Sequence, residues 1–82
     1  MKQPNEDLAE NKVLILYILN KLLDGIKSDN LYKIVSSTNN INYFYFQELL
    51  TDLINTNLVG SFTKDEDTFI KITSEGQSAL SL

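Results

Sequence analysis

Three consecutive carboxylates, Asp65-Glu66-Asp67, form the densest group of potential cation ligands in this 82-residue chain. They lack the Asp-x-Asp-x-Asp-Gly spacing of a calcium loop, so a solvated turn is the stronger interpretation. The chain contains no histidine and no cysteine. Because this excludes hydrolase triads, thiolate nucleophiles and ordinary zinc sites, we expect no enzyme activity, no cofactor and no metal site.

Charge is distributed unevenly along the chain, whose formal net charge is −4. Residues 12–33 carry four lysines and two carboxylates, whereas residues 34–82 carry two lysines and six carboxylates. Every basic residue is a lysine, so the planar guanidinium that holds guanine edges or phosphates in two places is absent. Positive potential is therefore expected in the first half of the chain.

The composition is that of a soluble globular domain, with 43% hydrophobic residues, 22% charged residues and one proline. We expect a single domain over residues 1–82, in which residues 1–6 are flexible. The longest apolar run, residues 13–19, is far shorter than the roughly 20 residues that cross a bilayer. The acidic start and the lack of cysteine favour the cytoplasm, with no membrane association.

The first element is predicted to be a helix over about residues 8–24. Asp7 supplies a capping acceptor three residues before Glu10, and Asp24-Gly25 ends the apolar series. At about 100° per residue, one side of this helix is rich in leucine, and a second apolar patch spreads around the opposite side. Either the domain itself covers this second patch or the patch is a dimer interface; its members are Val13, Leu14, Tyr17 and Ile18.

Two further helices are predicted in the middle of the chain. Ser28 can cap a short helix over about residues 29–37, after a stretch long enough only for a β-bridge. Asn42 can cap a third helix that extends to about Asn57. The side of this third helix that is predicted to face the core contains Phe46, Leu49, Leu50 and Leu53.

Two aromatic residues in the third helix have open roles. Phe44 points about 160° away from Phe46, which favours an exposed side chain that contacts a partner. For Tyr45 two interpretations are equally open: an exposed contact with a partner, or packing over the edge of a small core.

After Leu58 the hydrophobic period changes from that of a helix to that of strands. The runs LVGSFT and TFIKI predict strands over about residues 58–63 and 68–72, joined by a polar turn at 64–67. Thr73 can cap a short terminal helix. The predicted fold class is mainly α with a small β-hairpin (α+β), in the order helix, β-bridge, two helices, hairpin and helix.

This order is the layout of a winged helix-turn-helix domain. The segments NLVGSF and TFIKITSEGQSAL resemble the hairpin and the Y-x-I-T-x-E-G ending of bacterial PadR and MarR transcriptional regulators. The segments LAENKVLILYILNKL and INYFYFQELLTDLINTNLV are more similar still to a family of uncharacterised bacterial proteins described as a domain of unknown function. The resemblance covers roughly residues 6–80 and implies a winged-helix fold.

The resemblance also implies a dimeric DNA-binding regulator, with the third helix as recognition helix and residues 64–68 as the wing tip. The residues that would contact double-stranded DNA or another partner are Asn42, Tyr43, Phe44, Tyr45, Gln47, Glu48, Thr51 and Asn55. Gln47 and Asn55 can pair with adenine, and Glu48 can accept a hydrogen bond from cytosine. Thr51 or Phe44 can contact a thymine methyl group.

Phosphate contacts would come from lysines outside the recognition helix, namely Lys12, Lys21, Lys27 and Lys33 in the first half and Lys64 at the wing. The recognition helix has no basic residue and the wing tip carries three carboxylates, although lysine and arginine supply nearly all non-specific affinity for DNA. The alternative function is therefore a winged-helix module that binds itself or another protein, without direct contact to DNA.

Overall fold

The computed structural model describes residues 4–81 as four helices and a three-stranded antiparallel sheet. The helices are α1 (Pro4–Lys21), α2 (Ser28–Asn39), α3 (Tyr43–Asn55) and α4 (Ser74–Leu80). The strands are β1 (Ile26–Lys27), β2 (Val59–Lys64) and β3 (Asp67–Ile72), in the spatial order β1-β3-β2. The predicted α+β fold class and the predicted order of elements are therefore confirmed.

α1 starts and ends earlier than the sequence predicted. It begins at Pro4, so Asp7 lies inside the helix rather than at its cap, and residues 4–6 of the segment predicted to be flexible belong to α1. Proline suits the first turn of a helix, where the N–H that it lacks would have no helical partner. The remainder of the segment predicted to be flexible, residues 1–3, lies outside the described residues.

The two middle helices begin in different ways. Ser28 is the first residue of α2 rather than its cap, and Lys27 in the cap position makes no side-chain capping hydrogen bond. Lys27 also belongs to β1, so pairing with β3 determines where α2 starts. Asn42 caps α3 as predicted, because its side chain accepts a hydrogen bond from the Tyr45 N–H at 2.8 Å. α3 ends at Asn55, before the predicted end.

The core lies between the first three helices and one face of the sheet. Its buried apolar residues are Ile15, Leu16, Leu19, Leu31, Val35, Phe46, Leu49, Leu50, Leu53, Val59, Ile70 and Ile72. All four predicted core residues of α3 belong to it. The Tyr32 ring of α2 lies 5.3 Å from Phe46 and 5.2 Å from Tyr43, centroid to centroid. These contacts fix the rotation of α3, so that its opposite face points outward.

The wing is the hairpin formed by β2 and β3, and its turn is shorter than predicted. The register pairs Lys64 with Asp67, which leaves Asp65 and Glu66 as a two-residue turn. Both turn residues have positive φ, 52° and 69°, as in the type I′ turns whose twist matches that of two-residue hairpins.

Glu66→Gly should raise the free energy of unfolding by about 0.5–1 kcal/mol. The left-handed conformation costs a non-glycine residue about 1–2 kcal/mol, and glycine removes this cost. Glycine also gives the unfolded chain more conformational entropy, which lowers stability by about 0.5–1 kcal/mol and offsets part of the gain. Urea denaturation followed by circular dichroism measures the difference. Thr68→Gly, in the neighbouring strand, is the control and should lower stability; a Glu66→Gly protein that is also less stable contradicts the turn geometry.

Candidate nucleic-acid interface

The side of α3 opposite the core is open to solvent. Phe44 is 81% exposed, and Glu48, Thr51 and Asn55 on the same side are also exposed. We call these four residues the outward face. The predicted exposure of Phe44 is confirmed. The outward face combines an aromatic ring with a carboxylate acceptor, a hydroxyl and an amide, so it can both donate and accept hydrogen bonds.

The first turn of α3 is held in place by contacts with its neighbours. Asn42 is exposed and caps the helix, while Tyr43 is 46% exposed and presents its ring edge-on to Tyr32. Tyr43 is thus only partly available, since one side of its ring is packed.

Tyr45 does not lie on the outward face. It is half-buried and packs against the core, and its hydroxyl is buried with no hydrogen-bond partner among the described residues. Helical spacing places Tyr45 at the border between the core side and the outward face, so packing against the core decides its position. Of the two interpretations that the sequence left open, packing over the core edge is correct and exposure is wrong.

A cleft of about 390 Å³ separates α3 from the wing. Gln47 and Tyr43 line it from α3, Thr68 lines it from β3, and Lys27 lines it from β1. Gln47 is half-buried here, beside the outward face rather than on it. The Lys27 Nζ lies 3.1 Å from a carboxylate oxygen of Asp67, so a wing residue already neutralises this predicted phosphate contact.

The other lysines divide into paired and available groups. Lys12 forms an ion pair with Asp52, which joins α1 to α3. Lys33 on α2 and Lys64 at the end of β2 are exposed, and no carboxylate of the described residues forms an ion pair with either. Of the phosphate contacts predicted near α2 and the wing, these two lysines are free to bind an anion.

The fold divides the apolar patch predicted on α1. Leu14 and Ile18 are partly buried and pack against the core of their own domain, so their assignment to a dimer interface is corrected. Val13 and Tyr17 are 55% and 54% exposed, and the Lys21 Nζ lies 4.8 Å from the centre of the Tyr17 ring. The domain itself therefore covers one half of the patch, and the other half is open to solvent.

Sequence reasoning missed the contacts that α3 makes with α1. Lys12 and Asp52 are 40 residues apart in the chain, so no local sequence pattern predicts their ion pair. It also missed a shallow groove of about 580 Å³ in which Leu8 of α1 lies beside Phe44. Only the packing of the two helices brings these residues together.

A small antiparallel sheet, a hairpin wing and a third helix with one open face together define a winged-helix domain. The chain belongs to the family described as "Domain of unknown function (DUF4364)", which matches residues 11–82.

A solved structure supports the same fold. The chain is similar to the protein described as "Crystal structure of SSV1 F-93", with a TM-score of 0.78, 20% identity, and coverage of 87% of this chain and 78% of that one. SSV1 F-93 has a winged-helix-like fold, and at this level of identity the likeness establishes the fold alone. No curated protein matches the chain significantly. None of the described helices is long and apolar enough to cross a membrane.

Proposed function

We propose that this protein is a DNA-binding transcriptional regulator rather than an enzyme, and that α3 enters the major groove. The observation that carries the proposal is the outward face of α3, which stands open beside the wing of a winged-helix fold. The resemblance of the hairpin and of the TFIKITSEG segment to PadR and MarR regulators supports it.

The residues around the outward face match several base edges. Asn55 and the neighbouring Gln47 can each form a paired hydrogen bond with adenine, and Glu48 accepts from the amino group of cytosine. Phe44 and Thr51 suit the thymine methyl group. Such contacts specify a sequence but contribute little non-specific affinity, since that comes from neutralised phosphates.

DNA binding by this surface has to overcome an unfavourable charge balance. The net charge is −4, and the turn of the wing consists of Asp65 and Glu66. Lys33 and Lys64 are free, and Lys27 becomes a third phosphate contact if its ion pair with Asp67 opens. Three phosphate contacts correspond to a slope of about −2.7 in a plot of log K against log salt concentration.

Fluorescence anisotropy with labelled mixed-sequence duplex DNA tests the proposal. Binding should be measurable at about 50 mM salt and should weaken about 40-fold by about 200 mM, because released counterions set the slope. Absence of binding at the lower concentration, or binding that does not respond to salt, contradicts the proposal.

Single lysine variants locate the interface within the same experiment. Lys33→Ala or Lys64→Ala should each reduce the magnitude of the salt slope by about 0.9. Lys71→Ala removes the same charge from β3, where Lys71 pairs with Gly60 and not with a residue near the turn, and should leave the slope unchanged. Equal effects of all three substitutions would indicate a general charge effect.

A second candidate function is a module that binds another protein, and the exposure of Phe44 favours it. This ring and Leu8 border the same groove, with Glu48 and Thr51 beside them. An exposed aromatic residue with a polar rim is typical of binding hot spots in protein interfaces. The candidate requires no DNA affinity at any salt concentration, so the anisotropy titration separates the two functions.

We further propose that two copies associate through the exposed part of the α1 patch. Val13 and Tyr17 lie one helical turn apart, and Leu23 is 51% exposed just beyond the end of α1. Regulators that read two half-sites are commonly dimers. Light scattering on the protein used for the titration measures its mass, and a monomer at all concentrations contradicts this contact.

A further inference from the structure

The face of the wing that points away from the core combines aromatic and basic side chains. Val59, Ile70 and Ile72 are buried, and side chains alternate along a strand, so every second residue lies on the opposite face. This outer sheet face consists of Gly60, Phe62 and Lys64 from β2 and Asp67, Phe69 and Lys71 from β3. We propose that the outer sheet face binds single-stranded nucleic acid, a ligand different from the duplex proposed for α3.

The centre of the outer sheet face is a pair of stacked phenylalanine rings. Phe62 and Phe69 are opposite each other in the register, with ring centroids 5.4 Å apart and an angle of 15° between the ring planes. Phe62 is 39% exposed, and a Cβ atom at Gly25 would lie only 3.2 Å from its ring. The ring is thus held in position yet open to solvent. Every nucleic-acid base has a π face, so such an aromatic platform can stack bases of any sequence.

Two lysines flank the phenylalanine pair from opposite ends. Lys71 lies opposite Gly60, four residues before Lys64 on β2, so the two lysines are about 13 Å apart along the strands. Both are exposed, and in the part of the chain that the structure describes neither forms an ion pair. The carboxylate of this face, Asp67, is already paired with Lys27. A phosphate backbone that crosses the rings would therefore meet a free cation on each side.

The combination of rings and lysines favours a single strand over other polyanions. In a duplex the bases stack on one another, so their π faces are closed to the phenylalanine pair, whereas a single strand can turn its bases outward. An acidic peptide can neutralise Lys64 and Lys71, but its carboxylates do not cover the rings. Aromatic platforms beside a basic track are the usual construction of sites for single-stranded nucleic acid.

Fluorescence anisotropy with labelled oligothymidine of about 12 nucleotides tests the proposal on the full chain. The Kd should lie below about 100 μM at about 50 mM salt. Binding should weaken about 7-fold by about 200 mM, because two phosphate contacts on a single strand give a slope of about −1.4. A salt slope near zero contradicts the two phosphate contacts.

Two controls separate base stacking from general attraction of anions. One is an abasic strand with the same length, charge and label, and the other is labelled polyglutamate of similar length. Both should bind at least about 5-fold more weakly than oligothymidine, because neither has bases that stack. Absence of oligothymidine binding, or equal binding of either control, overturns the proposal.

Variants of the outer sheet face locate the binding site. Phe62→Leu keeps an apolar side chain but removes the ring, so it should weaken oligothymidine binding about 5- to 100-fold, whereas Phe62→Tyr should retain it. Lys71→Ala changes only an exposed side chain and should reduce the magnitude of the salt slope by about 0.7. Circular dichroism checks that each variant is folded. Unchanged oligothymidine binding in either Phe62→Leu or Lys71→Ala overturns the proposal.

Lys33→Ala is the matched lysine control, because Lys33 is exposed on α2 and not on the sheet. It should reduce the salt slope for duplex DNA and leave oligothymidine binding unchanged, while Lys71→Ala should do the reverse. The proposal does not depend on duplex binding by α3, so failure of either function leaves the other testable. Equal loss of oligothymidine binding in Lys33→Ala and Lys71→Ala overturns the assignment to the outer sheet face.

Discussion

Replacing Gly76 with alanine should lower the free energy of unfolding by about 3 kcal/mol or more. A Cβ atom at this position would lie 2.1 Å from the carbonyl oxygen of Leu58 and 2.7 Å from the Cγ1 of Ile72. The first of these atoms belongs to the backbone, so it cannot move without displacing the start of β2. Overpacking costs about 1–3 kcal/mol and occasionally more, and a backbone collision lies at the upper end. Urea denaturation followed by circular dichroism measures the loss.

Helix propensity alone predicts that Gly76→Ala raises the free energy of unfolding. The sign of the measured change therefore shows which effect is larger, propensity or the collision with Leu58. Gly76 lies inside α4, where alanine is more favourable than glycine by about 1 kcal/mol. Gly60→Ala is the matched control, because a Cβ there would meet nothing within 4 Å, and its effect should stay within about 1 kcal/mol. A Gly76→Ala protein as stable as wild type would mean that α4 does not pack against Leu58.

The same packing explains the TSEG segment in physical terms. The Thr73 hydroxyl accepts a hydrogen bond from the Gly76 N–H at 3.0 Å and donates one to the Asn57 carbonyl at 2.7 Å. The Thr73 N–H donates to the Leu58 carbonyl at 3.1 Å. Thr73 thus caps α4 and links it by a hydrogen bond to Asn57, just after α3. Gly76 permits the close approach of α4 to Leu58. The cap could be predicted from the sequence, but the need for glycine could not.

α3 shows which structural features can be predicted from local sequence patterns. Its cap, its buried side and the exposure of Phe44 were all predicted, because each depends on helical spacing within about four residues. The same spacing could not decide the position of Tyr45, which lies at the border between the two sides. Its burial depends on packing against the core, to which residues distant in the chain contribute.

The wrong boundaries have the same physical origin. A serine before a helix usually acts as the cap, yet pairing of β1 with β3 places Lys27 in that position instead. The turn of the wing contains Asp65 and Glu66, whereas type I′ turns favour asparagine and glycine. The residue types therefore did not predict a two-residue turn. In both cases the hydrogen-bond register of the sheet overrides the local preference.

The charge pattern of the candidate interface also depends on distant partners. From the sequence, Lys12 and Lys27 were available cations; in the fold they pair with Asp52 and Asp67. The surface available to phosphate is therefore less basic than the lysines of the first half implied. The electrostatic part of DNA binding therefore rests on Lys33, Lys64 and an opened Lys27 pair.

Leu53→Ala should lower the free energy of unfolding by about 2–5 kcal/mol, the usual range for removing a fully buried leucine and leaving a cavity. Leu53 is 1% exposed and Leu49 is 0% exposed, so Leu49→Ala should behave alike. Phe44→Ala removes a larger side chain from the same helix, but Phe44 is 81% exposed, so stability should change by less than about 1 kcal/mol. Thermal or urea denaturation of the three variants tests the orientation of α3. Equal losses in Leu53→Ala and Phe44→Ala would mean that the helix is rotated, and the outward face would then be an error.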